Sequence, residues 1–148
     1  MTTKKRFKFI VAVHAFFIKD SKVLLLKRTN TGYMDSFYSV PAGHVDGGES
    51  IPTAMAREVY EEIGIEFDAP LDPSLVMHRL VSDNEERIDY FFKITDWRGD
   101  PKNNEEHKCA GLKWFDCKSL PEKTIPYVGY ALSEVLSNKK FTEFNEMD

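Results

Sequence analysis

The chain is expected to adopt an α/β fold, a mixed sheet covered by helices on both faces. Three observations lead there. Short runs rich in β-branched and aromatic residues recur along the chain, glycines, prolines and polar turns bound them, and two segments carry apolar residues at helical spacing. At 148 residues the sequence fits one domain spanning 1–148, with a core over about 8–138.

The opening run Phe9–Ile18 follows Lys4-Lys5-Arg6 and superficially resembles a secretory leader. His14 interrupts it, no small-x-small cleavage site follows, and the run is too short to span a membrane. A polar turn, Lys19–Lys22, then leads into Val23–Leu26, so a β-hairpin is the better reading. Strands are expected near 8–18, 22–28, 37–40, 74–82, 87–95 and 111–116.

The main helix should cover 51–63. Ser50 suits its N-cap, Pro52 is tolerated in the first turn, and Gly64 suits the stop. Ile51, Met55, Val59 and Ile63 form an apolar stripe to face the sheet. A second helix is expected from Tyr127 to Ser137, with Pro126 just before it and Val128, Ala131, Leu132, Val135 and Leu136 on one face. Asp68–Pro73 reads as a connector, Trp97–His107 as a polar loop, and Lys139–Asp148 as a polar tail that frays.

Composition narrows the function. A net charge of −4 with no basic run argues against a nucleic-acid surface. A hydrophobic share of 42% and a charged share of 30% are those of an ordinary globular protein, with no membrane partner implied. Cys109 and Cys117 are too few for a disulfide framework and read as reduced thiols in a cytoplasmic protein.

The densest chemistry lies between Gly43 and Ile65. Glu58, Glu61 and Glu62 stand at i, i+3 and i+4, so a helix gathers three carboxylates on one face. Like charges at that spacing destabilise a helix unless a cation relieves them, and carboxylates are the hard oxygen donors that Mg²⁺ accepts. Arg57 can pair with Glu61 four residues on, or reach back to Glu49 and fix the preceding loop. The plain alternative is a solvated acidic helix face.

The surrounding residues favour the first reading. Gly43, Glu49, Arg57, Glu58, Val59, Glu61, Glu62, Gly64 and Ile65 fill every specified position of G-x5-E-x7-R-E-U-x-E-E-x-G-U, where U is bulky and aliphatic. That pattern is the Nudix box, and the chain resembles the MutT-like Nudix hydrolases. Val23–Arg28 and Phe37–Gly43 look like the family's approach to the box, and Leu112–Phe115 with Leu120-Pro121 like its ending. Ala42 stands where many members carry glycine.

The resemblance implies a Nudix-type α/β/α sandwich with the loop–helix–loop beside its mixed sheet. It also implies cleavage of nucleoside diphosphates linked to a further group X, with Mg²⁺ as cofactor and Mn²⁺ as a substitute. Implied metal ligands are Glu58, Glu61, Glu62 and the Gly43 carbonyl, with Glu105 an additional candidate ahead of Glu106. The implied catalytic set is Glu61 or Glu58 as base, with Arg57 holding the carboxylates; coupled titration leaves the base open.

Residues outside the helix have two readings each. Arg28 contacts a phosphate or is a surface charge, and His44 lines the cleft or makes a structural hydrogen bond. Tyr38 and Phe37 stack on a ring or belong to the core, and His14 lies near a bound base or is a satisfied core histidine. Asp100–Cys109 leading into Trp114-Phe115 looks like members that convert (deoxy)nucleoside triphosphates to monophosphate and pyrophosphate. The alternatives are an ADP-ribose or nucleotide-sugar pyrophosphatase and a non-catalytic nucleotide-sensing module. The expected partner is a small nucleotide, and the state is monomer or homodimer.

Overall fold

β1 (Ile10–Lys19) runs through the middle of the sheet, and its alternating side chains feed two separate cores. Phe16 and Ile18 point to one face; Val13, Ala15 and Phe17 point to the other. Asp20 and Ser21, at φ 52° and 62°, make the tight turn into β2 (Lys22–Arg28), so the expected hairpin forms. The computed structural model describes residues 4–68, 70 and 72–147; Ala69 and Leu71 of the expected connector lie outside the described residues.

The elements that follow are β3 (Tyr38–Ser39), β4 (Ala42–His44), α1 (Ile51–Ile63), β5 (Leu75–Ser82) and β6 (Glu85–Ile94), then β7 (Cys109–Asp116), α2 (Pro126–Leu136) and β8 (Phe141–Asn145). The sheet order is β3-β2-β1-β6-β5-β8, with β4 also paired to β1 and β7 to β2. β1–β6 and β5–β8 are parallel and the remaining pairs antiparallel, so the sheet is mixed.

The helices cover opposite faces. Ala54, Met55, Val59 and Ile63 of α1 pack with Val13, Ala15 and Phe17. Val128, Ala131, Leu132 and Val135 of α2 pack with Phe16, Ile18 and Leu25. This is the α/β/α sandwich that the pattern predicts. Among the described residues no helix is long and apolar enough to cross a membrane.

Two elements depart from expectation. The glycine turn before α1 contains β4, whose Ala42, Gly43 and His44 pair with His14, Val13 and Ala12, which fixes the turn against the central strand. The tail does not fray: β8 adds a parallel strand to β5, from Val76↔Phe141 to Leu80↔Asn145. Thr142 faces inward and donates to the carboxylate of Glu134 at 3.0 Å, and Phe144 packs on Tyr130. A period of two hidden in a polar composition carries this strand.

Candidate functional site

α1 is set at both ends by its own residues. The Ser50 hydroxyl accepts from the Thr53 N–H at 3.2 Å, and Gly64, at φ 70°, donates its N–H to the Tyr60 carbonyl. A Cβ on Gly64 would crowd Asn104, so glycine serves two needs there. Arg57 then draws the preceding loop onto the helix. It donates from Nε and Nη2 to the two oxygens of Glu49, at 3.1 and 2.7 Å, and from Nη2 to the His44 carbonyl at 3.2 Å. Its Nη1 reaches Glu58 at 2.9 Å and Glu61 at 3.4 Å. Arg57 therefore works as a positioning residue, with the reach to Glu49 the stronger of its two expected pairings. The Glu49 carboxyl is held below its ordinary range, chiefly by the hydrogen bond from Arg57.

The acidic edge of α1 faces a cleft of about 480 Å³ whose lining includes Glu58, Glu61, Glu62 and Glu105 together with Lys27, Arg28 and Lys108. Glu62 accepts from the Ala42 N–H at 2.9 Å. Burial of its carboxyl, then the nearby Glu58 charge, push the Glu62 pKa well up. Burial likewise raises Glu58, against the opposing pull of Arg57. Glu58 lies so close to Gly43 that any Cβ there would fall onto its carboxylate. Glycine at 43 thereby lets the strand that carries its carbonyl lie close against the Glu58 side chain.

This donor set fits a divalent cation. Clustered carboxylates whose charged forms are disfavoured by burial and mutual repulsion gain most from a bound ion. Among the described residues no three acidic, histidine or cysteine side chains stand at metal-ligand spacing. Glu58 lines the cleft while also accepting from Arg57 Nη1 at 2.9 Å.

Glu105 reaches the cleft because its loop is docked on the end of α1. The Lys102 and Asn104 N–H groups donate to the carbonyls of Ile63 and Glu62, at 2.8 and 3.1 Å. The Asn103 side chain accepts from the Glu105 N–H and donates to the Cys109 carbonyl. Sequence reasoning placed Asn103 and Asn104 in a polar loop but missed their docking role, for which their turn-forming amide chemistry was the available signal. Glu106 does not line the cleft.

The expected substrate residues divide. Arg28 lines the cleft, but Nε and Nη2 also hold the 31–35 loop through the Tyr33 carbonyl and the Thr31 hydroxyl. His44 is exposed and lines a second cleft of about 320 Å³. Tyr38 lines neither cleft; it packs edge-on against Phe115 at 5.0 Å, beside the α2 core, so the core alternative describes it. Phe37 packs there too.

His14 belongs to a buried network at the second cleft, and its partners Asp89, Arg79 and Tyr127 were missed by sequence reasoning. His14 Nε2 lies 2.9 Å from Asp89 Oδ1, Arg79 Nε donates to Asp89 Oδ2 at 2.8 Å, and Arg79 sits 3.7 Å over the Tyr127 ring. Burial alone raises the Asp89 pKa, but the hydrogen bonds and charges of His14 and Arg79 outweigh it and hold Asp89 at about 2. Burial pushes Tyr127 up to about 12.

A loop–helix–loop whose acidic edge lines a cleft beside a mixed, helix-covered sheet defines the class of domain. The chain belongs to the NUDIX domain family, whose model matches residues 8–134. It is similar to the ADP-ribose pyrophosphatase of Methanocaldococcus jannaschii, with 33% identity over 76% of this chain and 64% of that protein. It is also similar to a putative 8-oxo-dGTP diphosphatase of Bacillus subtilis, with 31% identity over 73% of this chain and 66% of that protein. The match thus spans just under two thirds of the length of these curated relatives. Among solved structures, the MutT NUDIX hydrolase of Burkholderia pseudomallei superposes with a TM-score of 0.78 at 26% identity, covering 86% of this chain and 98% of that one. The MutT protein of Methanosarcina mazei Go1 shares the fold, with a TM-score of 0.75 at 22% identity over 93% of this chain and 100% of that one.

Proposed function

We propose that this protein is a Mg²⁺-dependent pyrophosphohydrolase that converts (deoxy)nucleoside triphosphates to monophosphate and pyrophosphate, with Mn²⁺ as a substitute ion. The observation that carries this reading is the pairing of two clefts. The carboxylate-lined cleft and the second cleft share Arg28 and Ala42 in their walls, so one extended molecule can occupy both. The relative named as an 8-oxo-dGTP diphosphatase supports a triphosphate substrate.

Glu58, Glu62 and Glu105, with the Gly43 carbonyl, would hold the cation, which when bound neutralises phosphate charge and makes water a better nucleophile. Glu61, about half exposed at the mouth of the cleft, and Glu58 are the two candidates for taking the proton from the attacking water. Arg57 keeps both within reach of that water. Lys27, Arg28 and Lys108, which line the same cleft, would offer positive charge to the phosphates.

A second reading, an ADP-ribose pyrophosphatase in the same site, is favoured by the relative of that name. A panel of nucleoside triphosphates, oxidised triphosphates, ADP-ribose and nucleotide sugars, assayed with Mg²⁺ and resolved by chromatography, separates the two. Turnover of triphosphates to monophosphate and pyrophosphate supports the first reading. Turnover of ADP-ribose alone overturns the substrate and keeps the site.

A further inference from the structure

The wall of the second cleft carries a buried hydroxyl that the protein itself leaves unbonded. The arginines around it are engaged. Arg79 is shared between Asp89, at 2.8 and 3.4 Å, and Glu146, at 3.2 Å. Arg87 donates from Nε to Glu85 at 2.7 Å, and Arg28 holds the 31–35 loop. Tyr127 differs from them. The residue is only 7% exposed and lines the cleft, yet among the described residues its hydroxyl has no hydrogen-bond partner. Nor is that oxygen sealed away from solvent. Buried polar groups are nearly always satisfied, so a hydroxyl left open at a cleft wall calls for a ligand group that meets it.

The surroundings set what Tyr127 can offer. Pro126 begins α2, and the Ile125 N–H just before it donates to the Tyr38 carbonyl at 3.0 Å, which fixes this backbone to β3. The Tyr127 ring belongs to the core beneath α2 and meets His14 edge-on at 5.8 Å, so its direction is held. The Arg79 guanidinium lies 3.7 Å over the ring. A cation on that face draws electron density from the phenol, strengthening the O–H as a donor and weakening the oxygen as an acceptor. Burial, against the pull of Arg79, pushes the Tyr127 pKa up to about 12, so the proton stays in place at working pH.

Resting on the triphosphate reading above, we propose that Tyr127 is a specificity-determining residue whose hydroxyl donates a hydrogen bond to an oxo group of the nucleobase. The cleft then selects bases with a C=O facing Tyr127 over bases with an amino group in that place. Ring amino groups are donors, whereas ring oxo groups accept. A cleft of about 320 Å³ suits a single base. An amino base would leave the buried hydroxyl unpaired, and a site built on such a hydrogen bond rejects the analogue that cannot make it.

Two substrate pairs test this, each exchanging an oxo for an amino group at one ring position: ITP against ATP, and UTP against CTP. The protein should favour the oxo member of at least one pair by about tenfold or more in kcat/KM. Tyr127→Phe keeps the ring over which Arg79 lies and removes only the oxygen. Its preference should fall to near one through a higher KM for the oxo substrate, whereas a merely structural role would lower both members alike. Calorimetric titration with IMP, AMP, UMP and CMP gives a readout without turnover and should show the same preference, lost in the variant. Should Tyr127→Phe not fold, the carbon-13 resonance of Tyr127 Cζ in the wild type replaces it, and the oxo monophosphate should move it more than the amino one. Equal or reversed kcat/KM within both pairs, a preference unchanged in Tyr127→Phe, or equal Cζ shifts overturns the role of Tyr127. Failure to hydrolyse any triphosphate, with the monophosphate preference present and lost in the variant, overturns the triphosphate reading and leaves Tyr127 as a base reader.

Discussion

Arg57 grips Glu49 with two nitrogens, Nε to Oε2 at 3.1 Å and Nη2 to Oε1 at 2.7 Å, and so ties the glycine loop to the helix that carries the carboxylates. The planar fork is what makes the contact bidentate, and an ammonium cannot reproduce it. Arg57→Lys should therefore lower kcat/KM by about 10²-fold, the cost of misplacing reacting groups by roughly an ångström. Circular dichroism should be unchanged. Activity retained at the level of the parent protein would show that the loop does not depend on this grip.

Gly43 gives a second test of positioning. Its φ is not in the left-handed region, so the demand for glycine comes from the Glu58 carboxylate alone. That carboxylate is the end of a flexible side chain and can yield. Gly43→Ala should fold normally, displace Glu58, and weaken both Mg²⁺ affinity and turnover by about tenfold or more. A loss of folded protein instead would place the constraint in the backbone.

The buried His14–Asp89–Arg79 network predicts how the protein responds to acid. The folded value of Asp89, about 2, lies below its ordinary 3.8, so the ionised form is favoured by folding. This stability is fully present above 3.8 and is lost as pH falls from there through about 2. Asp89→Ala should cost about 3 kcal/mol at neutral pH, because it leaves the Arg79 charge buried beside a weakened set of partners. Urea unfolding of both proteins at pH 7 and pH 2.5 checks the magnitude and the sign. The gap between them should narrow in acid.

Much of the site was legible because it is local. The spacing of Glu58, Glu61 and Glu62, the Ser50 cap and the Gly64 stop all lie within one helix and its flanks, where a 3.6-residue period fixes which side chains share a face. The two-faced sandwich also followed from pattern, since Val13, Phe16 and Phe17 of one strand are apolar on both sides. What escaped depends on contacts distant in sequence. His14 meets Asp89 across 75 residues, through a parallel register between β1 and β6 that no local period encodes. β8 was hidden because Thr142 satisfies its inward position by hydrogen bonding to Glu134, so the strand never shows an apolar alternation. Amide exchange in Phe141–Asn145 should accordingly be slow, with protection approaching that of β5; rapid exchange would restore the frayed tail.

Glu62 is the most deeply buried carboxylate of the acidic edge. Its carboxyl is raised well above the ordinary 4.5 by burial and by Glu58, so in the metal-free protein it contributes stability below 4.5 that is lost as pH rises through its folded value. A bound cation would reverse that penalty. The most direct measurement is Mg²⁺ titration of the wild-type protein and Glu62→Gln near pH 8, following melting temperature and triphosphate hydrolysis in the same samples. Metal-free Glu62→Gln should melt higher than the wild type, Mg²⁺ should raise the melting temperature of the wild type alone, and hydrolysis should appear with that rise and be lost in the variant. Hydrolysis by the wild type without added metal and in the presence of a chelator, or equal Mg²⁺ stabilisation of both proteins, would contradict a metal site at Glu62.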